Sequence, residues 1–362
     1  MQWLAFILIL PYFFLLLWVF RNLLKIKSFN VSSYPETSVS VIVACHNEKQ
    51  NIQSLLKSIS LQDYPAEMVE IIIIDDNSND KTFESAASYV SNQKKIILHN
   101  TGKGKKQAIR TGIDASSGNL IITTDADCRM GEKWIRTIAA YYEEHKPDMI
   151  ICPVWLEPVP GFFGKFQELE FLSLQGVTAG TSLAGDATMC NGANLSFTRE
   201  AYLDNSGNLH DEINSGDDIF LLHALKKKKG SEVLWLESAD AMVSAGSSTS
   251  LRSFLIQRKR WLSKGKAYTD WYTILLGIAT FVTILTQVSV LVAGFFFPKF
   301  LWVFLAVFVF KSVPDFLILL NTTKRYGKRN LLSWFILSQV VYPFYVLIVF
   351  AYSVISSGRE RY

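Results

Sequence analysis

The chain has 362 residues and a formal net charge of +4, with 49% apolar residues and 25 phenylalanines. So weak a positive balance gives no argument for a nucleic-acid partner, and the apolar excess sits at the two ends. Residues 35–265 read as an ordinary soluble domain, long enough to bury a core.

Trp3–Phe20 carries no charge and is long enough to span a bilayer with some tilt or thinning. A signal peptide is the rival reading, but no basic residue precedes the run and no small-residue cleavage site follows it. Arg21, Lys25 and Lys27 follow instead, which puts the N-terminus outside and residue 21 onward in the cytoplasm. The four cysteines, Cys45, Cys128, Cys152 and Cys190, form no CxxC pair and no zinc spacing, which fits a reducing compartment.

SVSVIVACHNE (38–48) begins as a buried strand and ends polar, and Ile52, Leu55, Leu56 and Ile59 then follow helical spacing. VEIIIIDDNSND (69–80) is a strand with a near-continuous apolar run, as in a parallel sheet buried on both faces. A helix, a short strand at Lys95–His99 and the strand GNLIITTDADC (118–128) come next. The alternation predicts an α/β doubly wound sheet, in which ligands bind beyond the carboxyl ends of the strands. Three strands place polar clusters there: His46-Asn47-Glu48, Asp75-Asp76-Asn77-Ser78 and Asp125-Ala126-Asp127.

Taken singly, each cluster has a plain structural reading. Asp125 and Asp127 suit a hard divalent cation shared with a diphosphate, yet two acids in a turn are commonly just solvated. Asp75 and Asp76 fit a helix cap or turn, or an acceptor for the uracil N–H of a nucleotide. Thr101–Lys106 is a Gly-interrupted basic loop, without P-loop spacing, that suits either a diphosphate or solvent. Asp217-Asp218 before an apolar helical run fits helix capping or a general base.

Phe162, Phe163, Phe166, Leu169, Phe171, Leu172 and Leu174, interspersed with Lys165, Glu168 and Glu170, suggest an interfacial helix, as does Leu251–Trp261. A buried core helix is the open alternative for the former. Three further spans are expected at Tyr272–Phe297, Phe300–Leu320 and Leu331–Ser356. The connector holding Lys324, Arg325, Lys328 and Arg329 is then cytoplasmic, as its charge also requires, whereas Arg359 and Arg361 count weakly against the topology. Lys311 and Asp315 stand four apart on one helix face, as a mutual ion pair facing the bundle or as part of an acceptor path.

In this order the motifs resemble those of family-2 glycosyltransferases with the GT-A fold, over about residues 36–265. VSVIVACHNE, SISLQDYP, IIDDNSND, NTGKGKKQAIRTG, TTDADC, NGANLSFTREAY and SGDDIFL each look like a segment of that family. QRKRW resembles the Gln-x-x-Arg-Trp motif of its membrane-integrated subgroup, which includes cellulose, hyaluronan, chitin and poly-N-acetylglucosamine synthases and ceramide glucosyltransferases.

The resemblance implies that Asp76, with Asp75 beside it, holds the uracil of a UDP-sugar, with Glu48 near the nucleoside and Lys105 near the nucleotide. It implies that Asp125 and Asp127 bind nucleotide and Mg²⁺ or Mn²⁺, and that Arg260 meets the diphosphate. Asp218, flanked by Asp217, becomes the base, and Asn191, Gly192, Asn194, Gln257 and Trp261 belong to the acceptor side. One departure is that many members have Glu-Asp where this chain has Asp217-Asp218, a feature it shares with hyaluronan synthases.

The organisation expected is an anchor over 1–21, a cytoplasmic catalytic domain over 36–265 and a three-helix bundle over 271–357. The protein is then a multi-pass membrane protein, of the plasma membrane if bacterial, that adds a sugar with inversion to a lipid or lipid-linked glycan. Four spans are few to enclose a growing polymer without self-association or a partner subunit. A processive, exporting polysaccharide synthase stays the alternative, with a membrane scaffold lacking the chemistry as a second.

Overall fold

The computed structural model describes residues 2–210, 213 and 216–357. In chain order the elements are α1 (Gln2–Leu23), β1 (Val39–Cys45), α2 (Ile52–Ser60), β2 (Val69–Asp75), α3 (Thr82–Ala87), β3 (Lys94–His99), α4 (Lys105–Asp114) and β4 (Leu120–Asp125). Next come β5 (Arg129–Met130), α5 (Trp134–His145), β6 (Met149–Ile151), β7 (Val154–Leu156), α6 (Gly161–Leu183), β8 (Leu195–Thr198), α7 (Arg199–Asn205) and α8 (Asp217–Lys227). The chain continues through β9 (Val233–Trp235), β10 (Val243–Ala245), α9 (Leu251–Ser263), α10 (Trp271–Phe296), α11 (Lys299–Arg325) and α12 (Phe335–Ser357). They form two units: Lys27–Glu157 with Met189–Gly246, and Met1–Ile26 with Pro158–Thr188 and Ser247–Tyr362. Residues 158–188 and 247–265, expected inside the soluble domain, therefore side with the helices.

The first unit is built on a seven-stranded sheet of order β3-β2-β1-β4-β8-β6-β9, with a small sheet β5-β10-β7 beside it. β3, β2, β1 and β4 run parallel, while β8 lies antiparallel to both β4 and β6. All seven residues of β2 are buried, as the apolar run predicts for a strand covered on both faces. On α2 the buried residues are Ile52, Leu55, Leu56 and Ile59, the spacing that the sequence shows. Parallel register sets Cys45 beside Asp75 and Ala44 beside Asp125, so the carboxyl ends of β2, β1 and β4 share one edge.

At the opposite edge, buried Glu70 ties the turn before β4 to β1 and β3. It accepts from Ser40 Oγ at 2.6 Å, from the backbone N–H groups of Ser117 and Gly118, from Ser117 Oγ at 2.9 Å, and from Lys94 Nζ at 2.8 Å. Burial alone would raise its carboxyl, but these donors outweigh burial and bring it down from 4.5 to about 2. A depressed folded-state value stabilises above the unfolded one and is lost as pH falls through the folded one. Discounting the solvent-screened Lys94, Glu70→Gln should cost about 2 kcal/mol at pH 7. In thermal unfolding the gap to wild type should shrink as pH falls from 4.5 toward 2; a gap constant with pH would contradict this account.

The second unit is helical. Among the described residues, four of its helices are long and apolar enough to cross a membrane: Trp3–Leu23, Trp271–Phe296, Lys299–Arg325 and Arg329–Ile355. Ala5, Ile9, Val290, Val303 and Val307 form a core shared by α1, α10 and α11. Lys311 and Asp315 form an ion pair at 2.7 Å, with Lys311 only 1% exposed. Gln339 bonds both partners, at 2.7 and 3.0 Å, and Tyr12 donates to Asp315 at 2.6 Å. The pair faces the bundle and links α1, α11 and α12, since a charge in hydrocarbon needs partners.

α6, expected as an interfacial helix, is largely buried within this unit against α1 and α11, in line with the alternative reading. Small residues allow the approach: a Cβ at Gly176 would come 2.4 Å from Thr322 Oγ1, and one at Gly180 would come 2.6 Å from the Val19 carbonyl. Two residues of the basic connector serve this packing. Arg325 donates to the Leu23 and Ile26 carbonyls at the end of α1, and Lys328 pairs with Glu168 at 3.2 Å.

Candidate active site

The shared edge of β2, β1 and β4 gathers the acids. Asp75 is 3% exposed; its Oδ2 accepts the Ser78 N–H at 3.2 Å and lies 3.6 Å from His99 Nδ1. Its Oδ1 is buried with no hydrogen-bond partner among the described residues. Asp76, half-buried, ties two loops together: its Oδ1 accepts from Asn100 Nδ2 at 2.7 Å and from the Gly104 N–H at 3.0 Å. Glu48 follows β1, accepting from Asn51 Nδ2 at 2.7 Å and donating its N–H to Thr82 Oγ1 at 2.8 Å.

Gly104, at φ +86°, caps the start of α4 and sets Lys105 at its first position. Lys105 Nζ bonds Asp125 Oδ1. Burial works against its charge, but Asp125, Asp217 and Asp218 outweigh it and hold the ammonium above its ordinary range. Next in the chain, Lys106 is buried and serves differently. It donates to the Leu209 and His210 carbonyls and, at 3.4 Å, to that of Ile213, with the Phe220 ring centroid 5.2 Å away. It holds these three carbonyls, a role with no local sequence signal.

Asp217 and Asp218 occupy the first turn of α8, and Gly216, at φ +99°, holds the N-cap position. Asp218 Oδ2 accepts the Gly192 N–H at 3.2 Å, and its Oδ1 accepts the Ile219 N–H at 2.8 Å. A Cβ at Gly192 would stand 3.7 Å from Asp218 Oδ2 and 3.8 Å from Lys105 Nζ. Lys105, Asp125, Gly192 and Asp218, scattered in sequence, thus meet. Asn191 accepts the Ala193 N–H at 3.0 Å. Asn194, expected on the acceptor side, is instead fully buried. Its amide is consumed by Trp134 Nε1 at 2.9 Å and by the Pro153 and Ala241 carbonyls, both at 2.8 Å. It is a strut beneath the loop, because a buried amide needs those partners. Gln257, Arg260 and Trp261 lie on α9 of the helical unit.

The Glycosyl transferase family 2 model matches residues 40–204. Residues 40–204, a little under half of the chain, thus match a family-2 glycosyltransferase domain. Asp217, Asp218 and the Gln-x-x-Arg-Trp residues lie beyond the matched span.

Relatives agree with this. Glycosyltransferase AglE of Haloferax volcanii is 33% identical over 99 residues, covering 27% of this chain and 33% of that protein. The poly-beta-1,6-N-acetyl-D-glucosamine synthase of Staphylococcus epidermidis is 28% identical over 217 residues, covering 55% of this chain and 51% of that one. The chain thus spans a third to a half of the length of these curated relatives. Among solved structures, the mannosyltransferase PcManGT of Pyrobaculum calidifontis, in complex with GDP-Man and Mn²⁺, superposes with a TM-score of 0.59. It is 16% identical and covers 98% of both chains, so the likeness is one of fold, the GT-A fold with helices.

The family fold implies a divalent metal. Among the described residues no three His, Cys, Asp or Glu side chains could hold one by themselves. A hard cation sharing a diphosphate needs only one or two carboxylates. Asp127 fits that need: burial, then the charges of Asp125 and Glu48, push its carboxyl up to about 6. Gly246 leaves it room, since a Cβ there would come 2.8 Å from Asp127 Oδ2. Asp125, already paired with Lys105, is the second carboxylate at hand.

Proposed function

We propose that this family-2 domain transfers a sugar from a nucleoside diphosphate sugar, a UDP-sugar first, to a membrane lipid or lipid-linked glycan, with inversion at the anomeric carbon. The observation that carries the reading is the meeting of Lys105 and Asp125 with Gly192 and Asp218 beside the ends of β2, β1 and β4. In this reading a cation for a diphosphate stands next to a carboxylate for an acceptor hydroxyl.

In this reading Asp76, whose loop bonds all fall on Oδ1, offers Oδ2 to a base N–H, while Asp75 supports the turn from below. Lys105 orients the nucleotide phosphates. Asp127 and Asp125 would hold Mg²⁺ or Mn²⁺, which neutralises charge on the departing diphosphate when bound. Asp218 takes the proton from the acceptor hydroxyl as that oxygen attacks, and Gly192 N–H holds its carboxylate in place. An acidic acceptor for a base N–H does not by itself separate uracil from guanine. The test is therefore mass spectrometry of products made by the full chain in membranes from a panel of UDP- and GDP-sugars. No transfer from any member, with the protein intact, would defeat the reading. The synthase relatives favour a second outcome, a ladder of products from processive addition; a single added sugar supports the lipid acceptor.

The basic residues after α1 and between α11 and α12 support a catalytic domain and connector on the cytoplasmic side of a membrane. Asn330→Cys should then resist an impermeant thiol reagent in intact cells, and Pro298→Cys, between α10 and α11, should label. The reverse pattern would invert the topology.

A further inference from the structure

Arg258 sits inside the Gln-x-x-Arg-Trp segment, but the resemblance gives it no role. We propose that Arg258, clamped by Glu170, is the positioning residue that fixes this segment for the acceptor side of the reaction. The inference rests on the glycosyl-transfer reading above.

The contacts of one guanidinium carry it. Arg258 is 4% exposed and grips Glu170 with both arms of its fork, Nε to Oε1 at 3.1 Å and Nη2 to Oε2 at 2.6 Å. Its remaining arm, Nη1, donates to Gln257 Oε1 at 2.6 Å. Its flat faces lie near two rings, Trp261 at 4.1 Å and Phe254 at 4.5 Å to the centroids. Glu170 is fixed in turn, because Tyr345 OH donates to its Oε1 at 3.1 Å. α6, α9 and α12 thus meet on one buried ion pair.

Two of the three residues given acceptor or diphosphate roles on α9, Gln257 and Trp261, are touched directly by Arg258. The third, Arg260, is exposed two residues on and carried by the same helix. A buried ion pair is a poor source of stability, since well-packed apolar side chains of similar size do as well. What a planar, five-donor fork supplies is orientation, and a lysine cannot reproduce it.

The experiment uses the full chain in detergent with Arg258→Lys and Glu170→Gln. Arg258→Lys keeps the charge and loses the fork and the ring contacts. It should lower kcat/KM for the acceptor at least about tenfold, the equivalent of one lost charge-assisted bond. Nucleotide affinity should change much less than the acceptor kinetics, because apart from Arg260 the residues given nucleotide roles lie in the other unit. Glu170→Gln, which keeps the acceptor for Nε and for Tyr345, should fall between. Trypsin should cut faster within 259–266 in Arg258→Lys, with cleavage of the sheet unit unchanged. Proteolysis needs no sugar transfer: a wild-type chain that transfers nothing, yet shows Arg258-dependent protection, would sink the functional reading and leave the clamp standing. Arg258→Lys with wild-type acceptor kinetics, or with lower melting temperature as its only change, overturns the proposal.

Discussion

Asp218→Asn should lower turnover by about 10²–10⁴-fold, the range for a lost general base, while nucleotide affinity stays near wild type. A base works only as the acceptor proton leaves, so its loss appears in kcat rather than in donor binding. The amide keeps one oxygen to accept from the Gly192 N–H, so the loop should hold. Asp217→Asn should be milder, because Asp217 acts on the site through the charge it presents to Lys105. The adjacent pair is the decisive comparison. If Asp217→Asn is dead and Asp218→Asn is active, the base is assigned one residue too late. If both remain active, these acids only serve the first turn of α8, where acids meet the positive end of the helix dipole. Steady-state kinetics beside nucleotide titration separates these outcomes.

Asp127→Asn should abolish transfer to a similar degree, at least about 10²-fold, as expected where several kcal/mol of charge stabilisation on the leaving diphosphate are lost. The same loss should follow chelation of the wild type and be reversed by Mn²⁺ or Mg²⁺. The fold should not suffer: the Asp127 carboxylate is half-buried and crowded by Asp125 and Glu48, so removing its charge relieves repulsion. Thermal unfolding without metal should therefore place Asp127→Asn at or above wild type. Full activity in chelator would remove the metal from the mechanism, and a lower melting temperature would show that the aspartate has a structural role instead.

Local pattern was enough to read β1, β2, β3 and β4 and to see that each of three carries acids or amides at its carboxyl end. Strand alternation is a property of adjacent residues, and parallel strands with both faces buried need continuous apolar runs. Four helices long and apolar enough to cross a membrane were equally legible, because bilayer thickness sets a length and a composition. The Lys311–Asp315 pair could be anticipated from spacing on a single helix turn.

By itself, then, the sequence determined the parallel half of the sheet, the acids at its edge, the four apolar helices and the family motifs. Tertiary structure alone decided that β8 runs antiparallel between β4 and β6, and so carries Gly192 to Asp218 and Lys105. It decided that Asn194 is a strut, that Lys105 meets Asp125 while Lys106 turns to the carbonyls of Leu209 and Ile213, and that Glu170 reaches Arg258 across 88 residues of sequence. It also joined residues 158–188 and 247–265 to the helical unit. The periodicity of α6 cannot distinguish a helix lying at an interface from one packed among others, because both show apolar residues at helical spacing. Each of these outcomes depends on which distant segment supplies the partner of a buried polar group, and that partner exists only once the chain has closed on itself.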